Sequence, residues 1–374
     1  MNDVAPPAAI DPFVGRPGAV GSPPAHYGSP LAEQRALAAG DAVVDLADRG
    51  VVAVTGPDRL TWLDSLLSQS LARLAPGASA EALLLDPNGR VEHAMRVLDD
   101  GETAWLLVDA GEAPAVAAWL DRMRFMLRVE VADRSADLAT VGWIDGGSLG
   151  ASGVPHAVGN GVELTWRDPW PAVAAGGHQY ANVADHPAAG WTWRETLIER
   201  DRLGELASRP AAGTLAAEAL RVAAWRPSWS HEVDERSIPH ELDWLRSAVH
   251  LAKGCYRGQE TVAKVHNLGH PPRRLVFLHV DGSDHLAPEH GDPVVLAGGD
   301  ADAAVGVVTT GALHHELGPV ALAVVKRSVD PAAALEVLHA GARLAAAQEA
   351  IVPTDAGASA AVPRLPRLGR RPVG

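Results

Sequence analysis

Lysine is nearly missing from this chain of 374 residues: there are three, Lys253, Lys264 and Lys326, against twenty-nine arginines. Arginine is the default cation here, so a lysine marks a position where the default was not used. Cysteine is rarer still, with Cys255 alone. A single cysteine excludes an intrachain disulfide framework and fits a reducing compartment. It also excludes an iron–sulfur cluster held by one copy of this chain, because such clusters take about four protein ligands. No apolar run of about 18 residues occurs, and no basic segment followed by an apolar stretch opens the chain, which points to the cytoplasm and away from a membrane. Aromatic residues make up only 5% while hydrophobic residues make up 47%, the balance of a globular chain with ample aliphatic core. Positive charge is also in deficit, and a net charge of -14 argues against a sequence-independent grip on nucleic acid. A G-x-x-x-x-G-K-[ST] loop and a G-x-G-x-x-G turn after a strand are missing too, so nucleotide-binding readings lack support.

One stretch concentrates what the rest of the chain lacks: Lys253-Gly254-Cys255-Tyr256-Arg257-Gly258-Gln259-Glu260. From Lys253 to Arg274 there are five cations and one carboxylate, an anion-binding composition inside an acidic protein. The two glycines allow the backbone to turn sharply around the thiol. Lys253 and Arg257 lie two residues to either side of Cys255, where cations favour the thiolate. Helical propensity from Gln259 to Val265 would add the positive end of a helix dipole. Two readings stay open on the residues alone: a reactive thiol tuned by Lys253, or a small side chain packed in a core.

The octapeptide resembles the K-G-C-Y-x-G-Q-E motif of the YgfZ family, folate-binding proteins related to the aminomethyltransferase (T protein) of the glycine cleavage system. Leu220-Arg221-Val222, and the run from Glu232 to Glu241 with its Ile238-Pro239-His240-Glu241 end, resemble elements that precede the motif in both branches. The resemblance spans Leu31 to Leu344 and implies an α+β, tripartite fold, with two α+β units around a central folate cavity and a C-terminal antiparallel β-barrel. It implies tetrahydrofolate or a derivative as ligand, a role in iron–sulfur cluster assembly or repair, and partners among iron–sulfur proteins or their assembly factors. Cys255 and Lys253 are then the candidates for thiol chemistry. Arg221, Glu241, Arg257, Gln259 and His93 are the candidate folate contacts, with the anionic tail near Arg221, Lys253 or Arg257.

The remaining sequence divides along the same lines. Residues 1–30, dense in Pro, Gly, Ala and Ser, read as a disordered leader, and residues 349–374, with Arg364, Arg367, Arg370 and Arg371, as a disordered basic tail. Residues 31–272 hold the two α+β units, 31–145 and 160–272, and residues 273–348 the barrel, read from six short apolar runs between Gly, Pro and Asp turns. In the first unit Leu60, Leu63, Leu66, Leu67 and Leu71 recur at helical spacing. Pro87-Asn88-Gly89 joins two strands of a hairpin in which Val91, His93, Met95 and Val97 share a face by alternation. That hairpin resembles the G-G-x-x-D-D hairpin of aminomethyltransferases, whose aspartate near the pteridine assists methylene transfer; the corresponding pair here is Glu92-His93. His93 is either a base titrating near neutrality or a hydrogen-bonded core residue. The departure leaves open whether a reaction is catalysed, with folate-dependent aminomethyl or methyl transfer as the alternative function. Glu218 and Arg221 lie one helical turn apart. The crowded acids Glu232, Asp234, Glu235 and Glu241 either bond the donor edge of a pterin or balance nearby arginines. His266 and His270 have a spacing compatible with zinc, but no second cysteine accompanies them.

Overall fold

The computed structural model describes residues 11–283 and 286–360. The chain enters through α1 (Pro30–Ala38) and β1 (Val43–Asp45). It then lays down an antiparallel sheet of order β3-β4-β5-β2-β6 from β2 (Gly50–Thr55), β3 (Ser79–Leu85), β4 (Val91–Asp99), β5 (Thr103–Val108) and β6 (Glu130–Asp133). Helices α2 (Arg59–Leu66) and α3 (Ala113–Met123) cover one face. Trp62 and Leu63 of α2, and Val116 and Leu120 of α3, pack there on the alternate sheet residues Val52, Val54, Ala104 and Leu106.

A second sheet has the order β10-β11-β7-β1-β12. It adds β7 (Leu138–Ile144) and, after α4 (Gly147–Ser152) and a small hairpin of β8 (Val158–Gly159) and β9 (Val162–Glu163), the strands β10 (Thr165–Arg167), β11 (Trp193–Glu199) and β12 (Ala211–Ala212). The units expected at 31–145 and 160–272 are therefore interleaved. Val43 of β1 pairs in parallel with Ala211 and antiparallel with Trp143, so this sheet draws strands from both sides of the first. Helices α5 (Thr214–Ala223), α6 (Trp229–Glu232) and α7 (Gln259–Leu268) lead to the barrel. Its strands β13 (Arg273–Val280), β14 (Pro293–Leu296), β15 (Gly306–His314), β16 (Gly318–Lys326), β17 (Leu335–His339) and β18 (Ala342–Ala350) close in the order β13-β16-β15-β14-β17-β18, all antiparallel. The architecture is the expected one, two α+β units and a closed six-stranded antiparallel barrel. Among the described residues no helix is long and apolar enough to cross a membrane.

Both ends correct the expectation of disorder. Phe13 is fully buried with Val141, Trp143 and Leu203, and Arg16 donates to the carbonyl oxygens of Arg209 at 2.6 Å and Leu206 at 2.8 Å. Ile351 and Val352 are fully buried in the central core, and the Val352 amide donates to Leu275 at 3.1 Å. A few well-placed apolar residues suffice to dock segments whose overall composition is poor in them. The rest of the expected leader and tail, residues 1–10 and 361–374, lies outside the described residues.

The hairpin differs in one detail. Leu84 pairs with His93 but Leu85 with Val91, so Glu92 is an extra residue, a β-bulge. His93 keeps the face of Met95 and Val97, while Val91 turns to the central core beside Leu83 and Leu85.

Candidate functional site

Strands of both sheets, α5 and α6 enclose a cavity of about 510 Å³. Its wall is a ladder of paired charges, with indole N–H groups as extra rungs. Arg96 of β4 donates to Asp109 at 3.0 Å and contacts Glu195 of β11 at 3.0 Å, and Arg49 joins the same two carboxylates at 2.7 and 3.3 Å. Arg226 bridges Glu81 of β3 at 2.7 Å and Asp168 at 3.0 Å. The indoles of Trp193, Trp244 and Trp191 donate to Glu195, Glu81 and Asp168 at 3.0, 3.0 and 2.8 Å. Trp191 and Trp193 stack at 5.4 Å between ring centres. Burial raises the pKa of Asp109, but attraction to Arg96 and Arg49 outweighs it and holds the carboxyl well below the usual carboxylate range. One acceptor is left over: Glu195 Oε2 is buried without a hydrogen-bond partner, on a residue only 1% exposed.

Of the residues singled out in the sequence, Arg221 lines this cavity, whereas His93, Glu241, Lys253, Cys255, Arg257 and Gln259 do not. Arg221 has no donor free for a ligand. Its Nε and Nη2 bond Glu218, at 2.7 Å for the shortest contact, Nη1 bonds Glu232 at 2.8 Å and the Arg226 carbonyl at 2.6 Å, and Nη2 also reaches Thr310 at 2.9 Å. Glu241 and Asp234 both hold Arg273, at 2.8 and 2.6 Å, and Glu235 lies 3.6 Å from Arg236. The acidic run therefore balances arginines.

The octapeptide loop packs on the tip of the β3–β4 hairpin. Gly258, with φ +83°, needs its missing side chain, since a Cβ there would lie 2.7 Å from the Asp86 carbonyl oxygen; Gly254 meets no such constraint. Cys255 is exposed. Its two flanking cations are engaged by other groups. The Lys253 ammonium donates to the carbonyl oxygens of Leu67 and Gln69 at 2.8 Å each and to that of Asp64, which uses all three of its protons. Arg257 pairs with Glu92 at 2.6 Å and lies 5.8 Å from the Trp119 ring centre. Gln259 donates back to the carbonyls of Lys253 and Gly254 at 3.2 and 3.3 Å, tying the loop to the start of α7. Sequence neighbours are not spatial neighbours when side chains leave a turn in different directions.

His93 Nδ1 lies 2.5 Å from Glu112, and its ring stacks 6.0 Å from Trp229. His266 bonds the Tyr180 hydroxyl at 3.1 Å and His270 the Ala356 carbonyl at 2.8 Å, so they share no site. Among the described residues no group of three or more His, Cys, Asp or Glu is placed to hold a metal ion. The cavity residues Arg49, Glu81, Arg96, Asp109, Glu195 and Arg226 escaped the sequence reading because they are scattered over many elements. The signal that pointed to them is compositional: eleven tryptophans against three tyrosines and three phenylalanines, four of them on this wall.

Residues 23–144 match the GCVT N-terminal domain and residues 273–351 the glycine cleavage T-protein C-terminal barrel domain. The chain is 28% identical over 319 residues to the aminomethyltransferase of Symbiobacterium thermophilum, covering 79% of this chain and 80% of that one. It is 29% identical over 329 residues to the aminomethyltransferase of Moorella thermoacetica, covering 81% and 83%. The crystal structure of glycine cleavage system aminomethyltransferase T from Bartonella henselae has a TM-score of 0.68 at 19% identity, over 91% of this chain and 95% of that one, a likeness of fold.

Proposed function

We propose, for a chain that belongs to the GcvT-like superfamily of aminomethyltransferase folds, that it binds a reduced folate in the central cavity and supports iron–sulfur cluster assembly or repair through Cys255. The observation that carries the folate half is the unpartnered Glu195 Oε2 in a cavity walled by Trp191, Trp193, Trp229 and Trp244. A pterin presents a flat face to indoles and amino and amide N–H donors to a buried acceptor. An acceptor left unbonded at that depth is costly, as is the unpartnered Arg49 Nε donor on the same wall, so a ligand that offers both donors and an acceptor, as a pterin ring does, suits the site. The cluster half rests on the octapeptide's resemblance and on the exposure of the thiol, which leaves the sulfur within reach of a partner. A cluster would be the partner's cargo, since this chain has a single cysteine.

Aminomethyl transfer is the second reading, favoured by the names of the relatives. It is the weaker one. From the β4 strand, Ala94, Met95 and Arg96 line the cavity while Glu92 and His93 do not, and Asp109 is kept anionic by two guanidiniums, which makes it a poor base. Calorimetric titration with tetrahydrofolate tests the folate half, with Glu195→Gln, which turns a donor toward the ligand's donors, expected to weaken binding by about tenfold or more. Turnover of a methylamine donor with tetrahydrofolate by the wild-type protein would reverse the preference between the two readings.

A further inference from the structure

We infer that the cavity admits the ring end of its ligand and gives no purchase to an anionic tail, so that reduced folates bind alike whatever the length of their glutamate chain. This rests on the folate reading above and deepens it. The wall carries six carboxylates, Asp48, Glu81, Asp109, Asp168, Glu195 and Glu218, against four guanidiniums. All four guanidiniums already hold carboxylates of the chain itself: Arg49 and Arg96 hold Asp109 and Glu195, Arg226 holds Glu81 and Asp168, and Arg221 holds Glu218 and Glu232. A ligand carboxylate could gain one only by displacing a resident carboxylate and leaving it buried without its partner.

The way out is no more welcoming. Among the lining residues, Asp48, Ala110, Leu215 and Ser230 are exposed, and Glu218 is the next acid inward, so the charged part of the rim is acidic. The one further base at the rim, His231, bonds Ser228 and Ser230 through Nδ1 at 3.0 Å and lies 3.9 Å from Glu218. Lys253 and Arg257, the other cations placed by sequence near a tail, are engaged with backbone carbonyls and with Glu92. Each added γ-glutamyl unit brings another negative charge past Asp48 and Glu218, and the one guanidinium N–H on the wall recorded as buried without a partner, Arg49 Nε, belongs to a side chain already held by Asp109 and Glu195.

The test compares three probes on the full chain by calorimetry at low and high ionic strength: tetrahydropteroate, tetrahydrofolate and tetrahydrofolate triglutamate. The expected result is three dissociation constants within about threefold, with no advantage of the triglutamate at low salt. A triglutamate bound tenfold or more tighter, with the gain lost in high salt, would overturn the inference and leave the folate reading standing. Failure of all three probes to bind would remove the folate reading and this inference with it. Glu218→Ala, which frees Nε of Arg221 and the Nη2 proton not held by Thr310, should raise the preference for triglutamate over tetrahydropteroate by at least about fivefold. Asp48→Asn at the rim should move that ratio the same way by less. Because the readout is a ratio, a general loosening of the fold would not produce it, and ratios unmoved in both variants would count against the proposal.

Discussion

The Lys253 ammonium stands 2.8 Å from the Leu67 carbonyl oxygen, so the lysine closes the end of α2. Burial lowers its pKa, offset only in part by Asp64. Lys253→Met would strand three carbonyls that now share one cation, an expected loss of about 3 kcal/mol. Thermal or urea unfolding measures it. The alkylation rate of Cys255 in the folded variant should match wild type, and a large fall in that rate would restore the lysine as a tuner of the sulfur.

Asp243 is fully buried in a left-handed backbone with φ 54°, accepts from the Tyr180 amide at 2.7 Å, and leaves Oδ2 unbonded. Burial pushes its pKa from 3.8 up to about 7. A raised carboxyl pKa means that the folded state binds the proton more tightly than the unfolded chain. Its stabilising contribution is therefore complete below the unfolded value and is lost as pH rises through about 7. Asp45, also pushed up to about 7 by burial, acts with the same sign. Asp243→Asn keeps the acceptor and tolerates this backbone, so it should equal wild type near about pH 3, exceed it by a margin that grows as pH rises toward about 7, and so flatten part of the decline between. Melting curves of the two proteins that stay parallel over that span would refute the assignment.

Cys255 is exposed and absent from the cavity wall. Cys255→Ser should leave the folate dissociation constant within about twofold while abolishing rescue of cluster-enzyme activities in a deletion strain. Equal loss of both would show that the sulfur and the ligand site are one.

Phe13 lies in a segment that composition marks as loose, yet it is fully buried. Phe13→Ala should cost about 3–5 kcal/mol, as removal of a buried ring from a packed core does. A change in stability below about 1 kcal/mol would mean that the segment is dispensable.

Alternation and turn residues are local signals, and they mark the hairpin on either side of Pro87-Asn88-Gly89 and the six strands of the barrel. Helix α3 ends at Met123 where Phe125 takes a positive φ of 47°, a backbone choice that hydrophobic spacing does not encode. The bulge at Glu92 is likewise invisible to a two-residue period, and it alone moved Val91 to the other face. The cavity was the least legible part. Its charges pair across long sequence separations, as Arg226 does with Glu81, so no window of neighbouring residues contains a site. The cationic octapeptide is legible for the opposite reason: its charges are close in sequence but are used by Asp64, Leu67, Gln69 and Glu92, which are far away in it.

The β3–β4 hairpin has two tenants. Glu81, Ala94 and Arg96 belong to the wall of the hollow, while its tip receives Gly258 and its Glu92 grips Arg257. A molecule settling into the hollow leans on the same ribbon that seats the sulfur-bearing loop, so occupancy on one side and reach of the sulfur on the other are joined through a single piece of chain.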